Sequence, residues 1–498
     1  MNYARKALKG TISVFVVTLF AAFLGYLVRL VLARGLSLEE YGLFYAVFSF
    51  FGLFMIFKDL GLNSALAKFI PEYLHKKDYS GVKSIVVSVF SIQTFFSLIV
   101  FILTFLLSDY IAEHFFHTPA ASIVIKFIGL MFLLTPLENV FTHSFQGFQR
   151  MFLYASIEFM RMLVILLIII ALLYKGFLVL APSIAYFAVY IIVPLLCIPF
   201  FLKMFPQFTK VKAKITSSLV KKLFKFGVPL IIGSVGAAFM LYTDTVIITY
   251  FRNLNEVALY QVASPTARLL LYLGYALAAV ILPLSSELWA KGKRDKLKFG
   301  MELLYKYTFL AVIPLALLMF SFPELILNIL FGAEYTGAAI VMQILAVGTI
   351  FFTVGNLNGN VLAGIGRPKE IANIVLIAAV FNLIANLILV PFYGMIGAAF
   401  STLLSWLVIL VLTSYKMKKY VKVKTPFYAW IKNIFAGIIF VLIIKLIKSV
   451  LEANIWVELL ISVGIASLVY LGLVLLFRLI TKKDINFFLY SIGRKKGI

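Results

Sequence analysis

Charge is what this chain has least of. Only 13% of its 498 residues are Asp, Glu, Lys or Arg, and 63% are apolar, against about 25% and 45–50% for a soluble domain. That excludes a water-soluble enzyme, a nucleic-acid-binding domain and a disordered chain. Cysteine is nearly absent. Cys197 alone can form neither an internal disulfide nor a thiolate metal cluster. The histidines (His75, His114, His117, His143) lack the spacing of a metal-binding helix motif, so no metal site is expected. No phosphate-cradling G-x-x-x-x-G-K-[ST] loop occurs, which leaves the chain without an ATPase of its own. The first apolar run is too long for a signal peptide and is expected to stay. The links between apolar runs are too short to hold a soluble catalytic domain.

Acidic residues are also scarce, 20 against 45 basic ones, for a formal charge of +25. In so apolar a chain this excess reads as basic cytoplasmic loops, not as a nucleic-acid surface. Long hydrophobic runs are plentiful. A bilayer-spanning helix needs about 20 apolar residues, and fourteen segments qualify: 11–33, 43–66, 82–107, 121–145, 152–174, 177–202, 223–250, 257–284, 301–321, 336–363, 370–391, 394–415, 428–449 and 455–480. Links after even-numbered spans are basic, as with Lys76, Lys77 and Lys83, or Lys210, Lys212 and Lys214. The tail adds Lys482, Lys483, Arg494, Lys495 and Lys496. Links after odd-numbered spans lean acidic, with Glu39, Glu40, Asp109, Glu113, Glu256 and Glu334. The positive-inside rule then places both termini in the cytoplasm of a multi-pass protein of the cell membrane.

The two halves resemble each other at an offset of about 217 residues. LSLEEYGLFYAVFS near Tyr41 parallels LNEVALYQVASPTA near Tyr260, and PEYLHKKD (Pro71–Asp78) parallels SELWAKGKRD (Ser286–Asp295). Asn139, Gly147 and Arg150 pair with Asn356, Gly364 and Arg367. The expected fold is an all-α integral membrane protein of about fourteen transmembrane helices. Two pseudo-symmetric six-helix lobes (1–203 and 226–425) flank a basic cytoplasmic linker (204–225), and 426–498 holds two further helices and a basic tail. A parallel repeat of this kind suits transport by alternating access at the seam of the lobes.

Ionisable groups inside the membrane cost about 2.5–3.5 kcal/mol even on lenient scales, so those present are site candidates. Arg29 shares a face with Thr18, Ala22 and Gly25, a small and polar strip that reads as lumen; the plainer alternative is that it snorkels to the outer end. Arg268 shares a face with Ser264, Tyr272 and Tyr275, or else pairs with an acid. Lys58 and Asp59 are adjacent, and could be only a local neutral pair. Asp244 is the most isolated acid, a candidate for coupling to H⁺ or Na⁺ with Asp59 beside it; the alternative is a salt bridge to Arg29 or Arg268. Glu158 and Arg161 are expected to form a local ion pair. Span 10 carries Thr349, Thr353, Asn356, Asn360 and Gly364 on one stripe, and span 4 carries Asn139, so Asn139, Asn356 and Asn360 are expected to line a sugar-binding cavity. Asn382 and Asn386 on span 11 read as helix-to-helix bonds.

The stretch from Ala33 to Asp78, with ARGLSLEEYG, DLGLNSA and EYLHKKD, resembles the start of the polysaccharide flippases, the Wzx or RfbX-like transporters of the multidrug/oligosaccharidyl-lipid/polysaccharide superfamily. Gly364–Pro368 is similar to the family's turn between spans 10 and 11. The resemblance implies that the cargo and partner is a polyprenyl-(pyro)phosphate-linked oligosaccharide, moved from the cytoplasmic to the outer leaflet with no cofactor beyond a coupling H⁺ or Na⁺. In related peptidoglycan-precursor flippases, cations on spans 1, 2 and 8 line the cavity. Arg29 and Arg268 resemble the first and last of these, and Lys58 matches the second in span and charge. Membrane lipids are the other expected partners, nucleic acid is not one, and the oligomeric state is left open, a monomer among the options. A cation-coupled multidrug exporter is the alternative within transport. A membrane polysaccharide polymerase or ligase would need a longer outward loop.

Overall fold

The computed structural model describes residues 2–423, 426–451 and 455–480. No strand occurs among the described residues. In chain order the helices are α1 (Asn2–Gly35), α2 (Leu38–Asp59), α3 (Leu62–His75), α4 (Tyr79–Leu106), α5 (Ser108–His114), α6 (Ala121–Gly147), α7 (Met151–Tyr174), α8 (Leu180–Met204), α9 (Ser217–Phe251), α10 (Leu254–Arg268), α11 (Leu271–Ala290), α12 (Arg294–Ser321), α13 (Pro323–Leu330), α14 (Ala339–Gly364), α15 (Pro368–Tyr420), α16 (Phe427–Val450) and α17 (Ile455–Leu476). Among the described residues, twelve are long and apolar enough to cross a membrane. The 53-residue α15 turns back at Gly394 (φ 54°, ψ −135°) and so makes two passes, and α9 ends in the apolar stretch Val235–Phe251. Fourteen spans result, as expected. The basic tail beyond 480 lies outside the described residues.

Spans 2 and 8, expected as single helices, are each broken in two. After α2 the backbone turns left-handed at Leu60 (φ 46°) and Gly61 (φ 70°). The Asp59 carboxylate accepts the Asn63 N–H at 3.1 Å and so satisfies one of the unpaired donors at the start of α3. Span 8 breaks between α10 and α11, where Leu269 and Leu270 donate to Thr266 and Ala267 in tight three-residue turns.

The chain forms two compact units. One comprises Met1–Val262, Asn328–Tyr335 and Ala379–Ala398; the other comprises Ala263–Leu327, Thr336–Ala378 and Ala399–Ile498. In the first unit α1 packs on α7, α6 on α4 and α8, and α2 on α9. Lipid tails are as apolar as leucine, so such helices are held by close packing around small residues. The α2–α9 seam shows this. A Cβ on Gly52 would sit 2.7 Å from the Tyr242 ring, and one on Gly61 would sit 2.3 Å from the Gly227 carbonyl oxygen. The basic linker is tied to α4. Lys83 Nζ donates to the carbonyls of Phe208 (2.7 Å) and Val211 (2.9 Å), and Ser84 Oγ accepts the Lys214 N–H at 2.7 Å. At the far end Asp109 of α5 is fixed by the Ser122 hydroxyl and by Lys126, which hold its carboxyl below the usual range. The second unit packs α14 against α11 and α12, and α16 against α12 and α17. Its core runs through Met301, Tyr305, Phe309, Val361 and Leu362.

The repeat is visible in backbone hydrogen bonds. At the end of α6, Phe148, Gln149 and Arg150 donate to Ser144, Gln146 and Phe145; at the end of α14, Ile365, Gly366 and Arg367 donate to Val361, Ala363 and Leu362. Each bond of one set matches one of the other at the 217-residue offset. Gly147 and Gly364 also play matching parts. A Cβ on Gly147 would meet the Leu66 carbonyl of α3 at 3.0 Å, and one on Gly364 would meet the Leu282 carbonyl of α11 at 2.7 Å.

Gly61 carries both a positive φ and a backbone contact, so Gly61→Ala should cost more than the about 1 kcal/mol of a left-handed alanine. It should lower the melting temperature of the detergent-purified protein. Gly464→Ala, where a Cβ meets nothing within 4 Å, should not. Equal melting of the two variants would show that the α2–α3 break tolerates a side chain.

Candidate functional site

The Arg29 contact starts from a proline in α10. Pro265 has no N–H, so the carbonyl of Gln261, four residues earlier, has no helical partner. Arg29 takes that place: its Nη1 lies 3.2 Å from the Gln261 carbonyl oxygen and 3.2 Å from Gln261 Oε1. The guanidinium also stacks over Tyr45, 4.4 Å from the ring centroid. Gln261 is oriented by Thr245, whose hydroxyl accepts from Nε2 at 2.7 Å, with Ser49 at 3.4 Å. No carboxylate pairs with Arg29 among the described residues, so a bridge from Asp244 to Arg29 does not form. On the face expected to be a lumen, Gly25 packs against Met162 Sδ of α7.

One residue along each helix, a second cluster forms. Asp244, 1% exposed, accepts from the Tyr260 hydroxyl, from Asn386 Nδ2 at 2.8 Å and from Asn382 Nδ2 at 3.2 Å. The adjacent pairs Asp244–Thr245 and Tyr260–Gln261 thus face each other across α9 and α10. The expected helix-to-helix role of Asn382 and Asn386 is realised on this carboxylate. Asp59, placed with Asp244 as an ion candidate, lies elsewhere in the same unit. It accepts from buried Gln93 at 3.3 Å besides capping α3. The Lys58 side chain lies outside the described residues.

In the second unit, Arg268 is half-buried, its guanidinium 5.6 Å from the Trp406 ring centroid. Its Nε is buried with no hydrogen-bond partner among the described residues. Two residues of the span 10 stripe belong to a packing seam. Thr349 and Thr353 are buried and donate to backbone carbonyls of their own helix, and Thr353 touches the site of Gly274 on α11. Asn356 and Asn360 are half-buried and joined to each other, Asn360 Nδ2 donating to the Asn356 carbonyl at 2.8 Å. Asn139 is half-buried in the first unit, and its side chain makes no hydrogen bond among the described residues. Asn358, fully buried between them on α14, is the amide that sequence inspection passed over. It accepts from Tyr305 and donates to Thr413 at 3.2 Å and Ser414 at 3.3 Å.

A fold of about fourteen spans with an interior arginine and an interior carboxylate, each held by neutral partners, is that of a membrane transporter. Residues 7–289 match the family model described as polysaccharide biosynthesis protein, and residues 229–388 match the MatE model. The chain belongs to the polysaccharide biosynthesis protein family of the multidrug/oligosaccharidyl-lipid/polysaccharide superfamily. It is 33% identical to an uncharacterised membrane protein of Methanocaldococcus jannaschii, over 96% of each chain. It is 26% identical to the probable low-salt glycan biosynthesis flippase Agl15 of Haloferax volcanii, over 96% of this chain and 97% of that one. In fold it is similar to the lipid II flippase MurJ in an inward closed conformation, with a TM-score of 0.76 and 18% identity, covering 94% of this chain and 99% of that one.

The asparagines of α14 should separate by role. Asn358→Ala leaves Tyr305, Thr413 and Ser414 short of partners and should cost about 1–3 kcal/mol of stability, seen as a lower melting temperature. Asn356→Ala should leave melting unchanged. The reverse order would place the structural amide at Asn356.

Proposed function

We propose that the protein is a flippase that carries a polyprenyl-(pyro)phosphate-linked oligosaccharide from the cytoplasmic to the outer leaflet of the cell membrane by alternating access, for cell-surface polysaccharide or glycan synthesis. Both termini lie in the cytoplasm in this reading, as the basic even-numbered links require. The observation that supports it is Arg29: a guanidinium within a membrane-spanning helix, balanced only by neutral acceptors and an aromatic face. Its charge is not spent on a carboxylate, so an anionic headgroup can engage it without breaking an ion pair. A pyrophosphate carries about two negative charges, and guanidinium binds phosphate oxygens bidentately. We assign the same chemistry to Arg268, and contacts to sugar hydroxyls to Asn139, Asn356 and Asn360. A multidrug exporter, favoured by the MatE match over 229–388, would place a cationic cargo against Arg29, and for that reason is the second reading.

Coupling is assigned to Asp244, with Asp59 as a second candidate. A carboxylate ringed by a tyrosine hydroxyl and two amides can take up H⁺, or can accept Na⁺ if the amides turn their oxygens inward.

In liposomes carrying a polyprenyl-pyrophosphate-linked glycan, Arg29→Ala should slow appearance of the glycan in the opposite leaflet about tenfold or more, the worth of one charge-assisted bond, with normal insertion. Wild-type flipping in that variant would remove the anionic-cargo reading. Asp244→Asn should abolish any dependence of the rate on a pH or Na⁺ gradient while leaving Arg29-dependent binding intact. A gradient dependence that survives it would move the coupling elsewhere.

A further inference from the structure

Away from Arg29 and Asp244, the first unit carries an apolar groove of about 330 Å³ beside its basic linker. Val86 and Phe90 of α4, Phe141 of α6, Ile198 and Leu202 of α8 and Phe208 of the linker line it, and every lining residue is aliphatic or aromatic. A cavity of this size is in the range of sites that take small molecules, and without polar groups it gives ordered water nothing to bond. Ile198 and Leu202 are exposed, so the groove opens on the outside of its helices, where the solvent of a membrane span is lipid.

The groove has a direction. On α8 it includes Leu202, close to the end of the helix at Met204. On α4 it reaches Phe90, about 16 Å along the helix from its start at Tyr79 at the usual rise per residue. It therefore runs from the linker inward along three membrane-crossing helices, which is the course of a lipid chain.

The linker end is cationic. Lys203 follows the lining Leu202, and Lys210 and Lys212 follow the lining Phe208; all three are exposed. None of them is in an ion pair among the described residues. Asp78, the acid just before α4, is engaged on the Gly81 N–H at 2.8 Å. The backbone beneath these lysines is fixed. Ser80 Oγ donates to the Lys212 carbonyl at 2.8 Å, and Lys83 holds the Phe208 carbonyl with its ammonium 4.8 Å from the Phe208 ring centroid. Lys83 is thus part of the wall, while Lys203, Lys210 and Lys212 present their charges at the mouth.

We propose that this groove binds one anionic lipid of the bilayer, in the leaflet that the linker faces. One hydrocarbon chain lies along Phe90, Phe141 and Leu202, and the phosphate sits among Lys203, Lys210 and Lys212. Juxtamembrane lysines attract anionic lipids in this way, and a chain of matching shape adds apolar contact that a diffuse surface attraction lacks. The occupant is a resident lipid and not the cargo. Arg29 lies near the end of α1, and α2 and α3 cross the membrane before α4 begins. A headgroup held at Arg29 therefore sits toward the opposite face from the phosphate at the linker.

The test is photolabelling of the full chain in phosphatidylcholine vesicles. The probe is a trace of phosphatidylglycerol, or of phosphatidylcholine, with a diazirine on one acyl chain, and adducts are mapped by mass spectrometry. The phosphatidylglycerol probe should label residues 198–202 about fivefold or more above the phosphatidylcholine probe, the worth of about one lysine at an anionic surface, and salt should shrink the difference. Lys203→Gln, Lys210→Gln and Lys212→Gln together should erase that preference. Val86→Trp, which fills the groove, should lower labelling by both probes; if it does not insert, the lysine variant carries the test. Arg29→Ala should leave labelling unchanged, so a failed anionic-cargo reading would not disturb this result. Equal labelling by the two probes, a preference that survives the lysine variant, or labelling indifferent to an inserted Val86→Trp would overturn the proposal. Loss of the phosphatidylglycerol label to an equal amount of polyprenyl phosphate would overturn it too, by giving the groove to the cargo's tail.

Discussion

A bilayer offers no water to bond a stray polar group, so inside it every donor and acceptor must find a partner within the chain. This need shapes the candidate site. Pro265 strips the Gln261 carbonyl of its helical donor, and the Arg29 guanidinium fills the gap. Pro136 does the same to the Phe132 carbonyl, and there the repair is local, by the Thr135 hydroxyl at 2.8 Å. In the second unit Lys432 reaches the Phe477 carbonyl at 3.3 Å, just past the end of α17. The defect is alike in the two proline cases. Only the Pro265 defect is repaired by a charge from a distant helix.

In the proposed function, Arg29 and Asp244 have to be held and yet stay responsive. Breaking a buried salt bridge by removing one partner costs about 3–5 kcal/mol, which would lock a transporter. Arg29 is instead solvated by an amide, a carbonyl and a tyrosine face, while Asp244 receives a hydroxyl and two amides. Neutral partners of this sort hold an ion in place yet yield to a competing ligand. Arg161 of α7 is the contrast: it pairs with Glu158, as expected, and with Glu138 of α6 besides.

The duplicated scaffold and its polar contents have diverged to different degrees. The turn after α6 and the turn after α14 keep the same hydrogen bonds, and Gly147 and Gly364 keep the same close approach. Backbone geometry of that kind tolerates little change. The side chains inside are free to differ, and they do. The first unit holds Arg29, Asp244 and the Arg161 cluster, whereas α14 carries the neutral Asn358 network.

Apolar run length, lysine asymmetry and the repeat were enough to place fourteen spans, because the thickness of the bilayer and the cost of moving Lys and Arg across it act on local sequence. The turn at Gly394 was legible too, as the boundary between the expected spans 370–391 and 394–415. The breaks after Asp59 and Arg268 were not, since apolar residues continue through both and the interruption is a matter of φ and capping. Arg29, Arg268 and Asp244 stood out as charges in the wrong solvent. Their partners did not. Gln261 and Arg29 are 232 residues apart, and Glu138 and Arg161 come from different helices. Which neutral group or which acid meets a membrane-embedded charge depends on how helices rotate and pack, and periodicity along one helix carries no record of that.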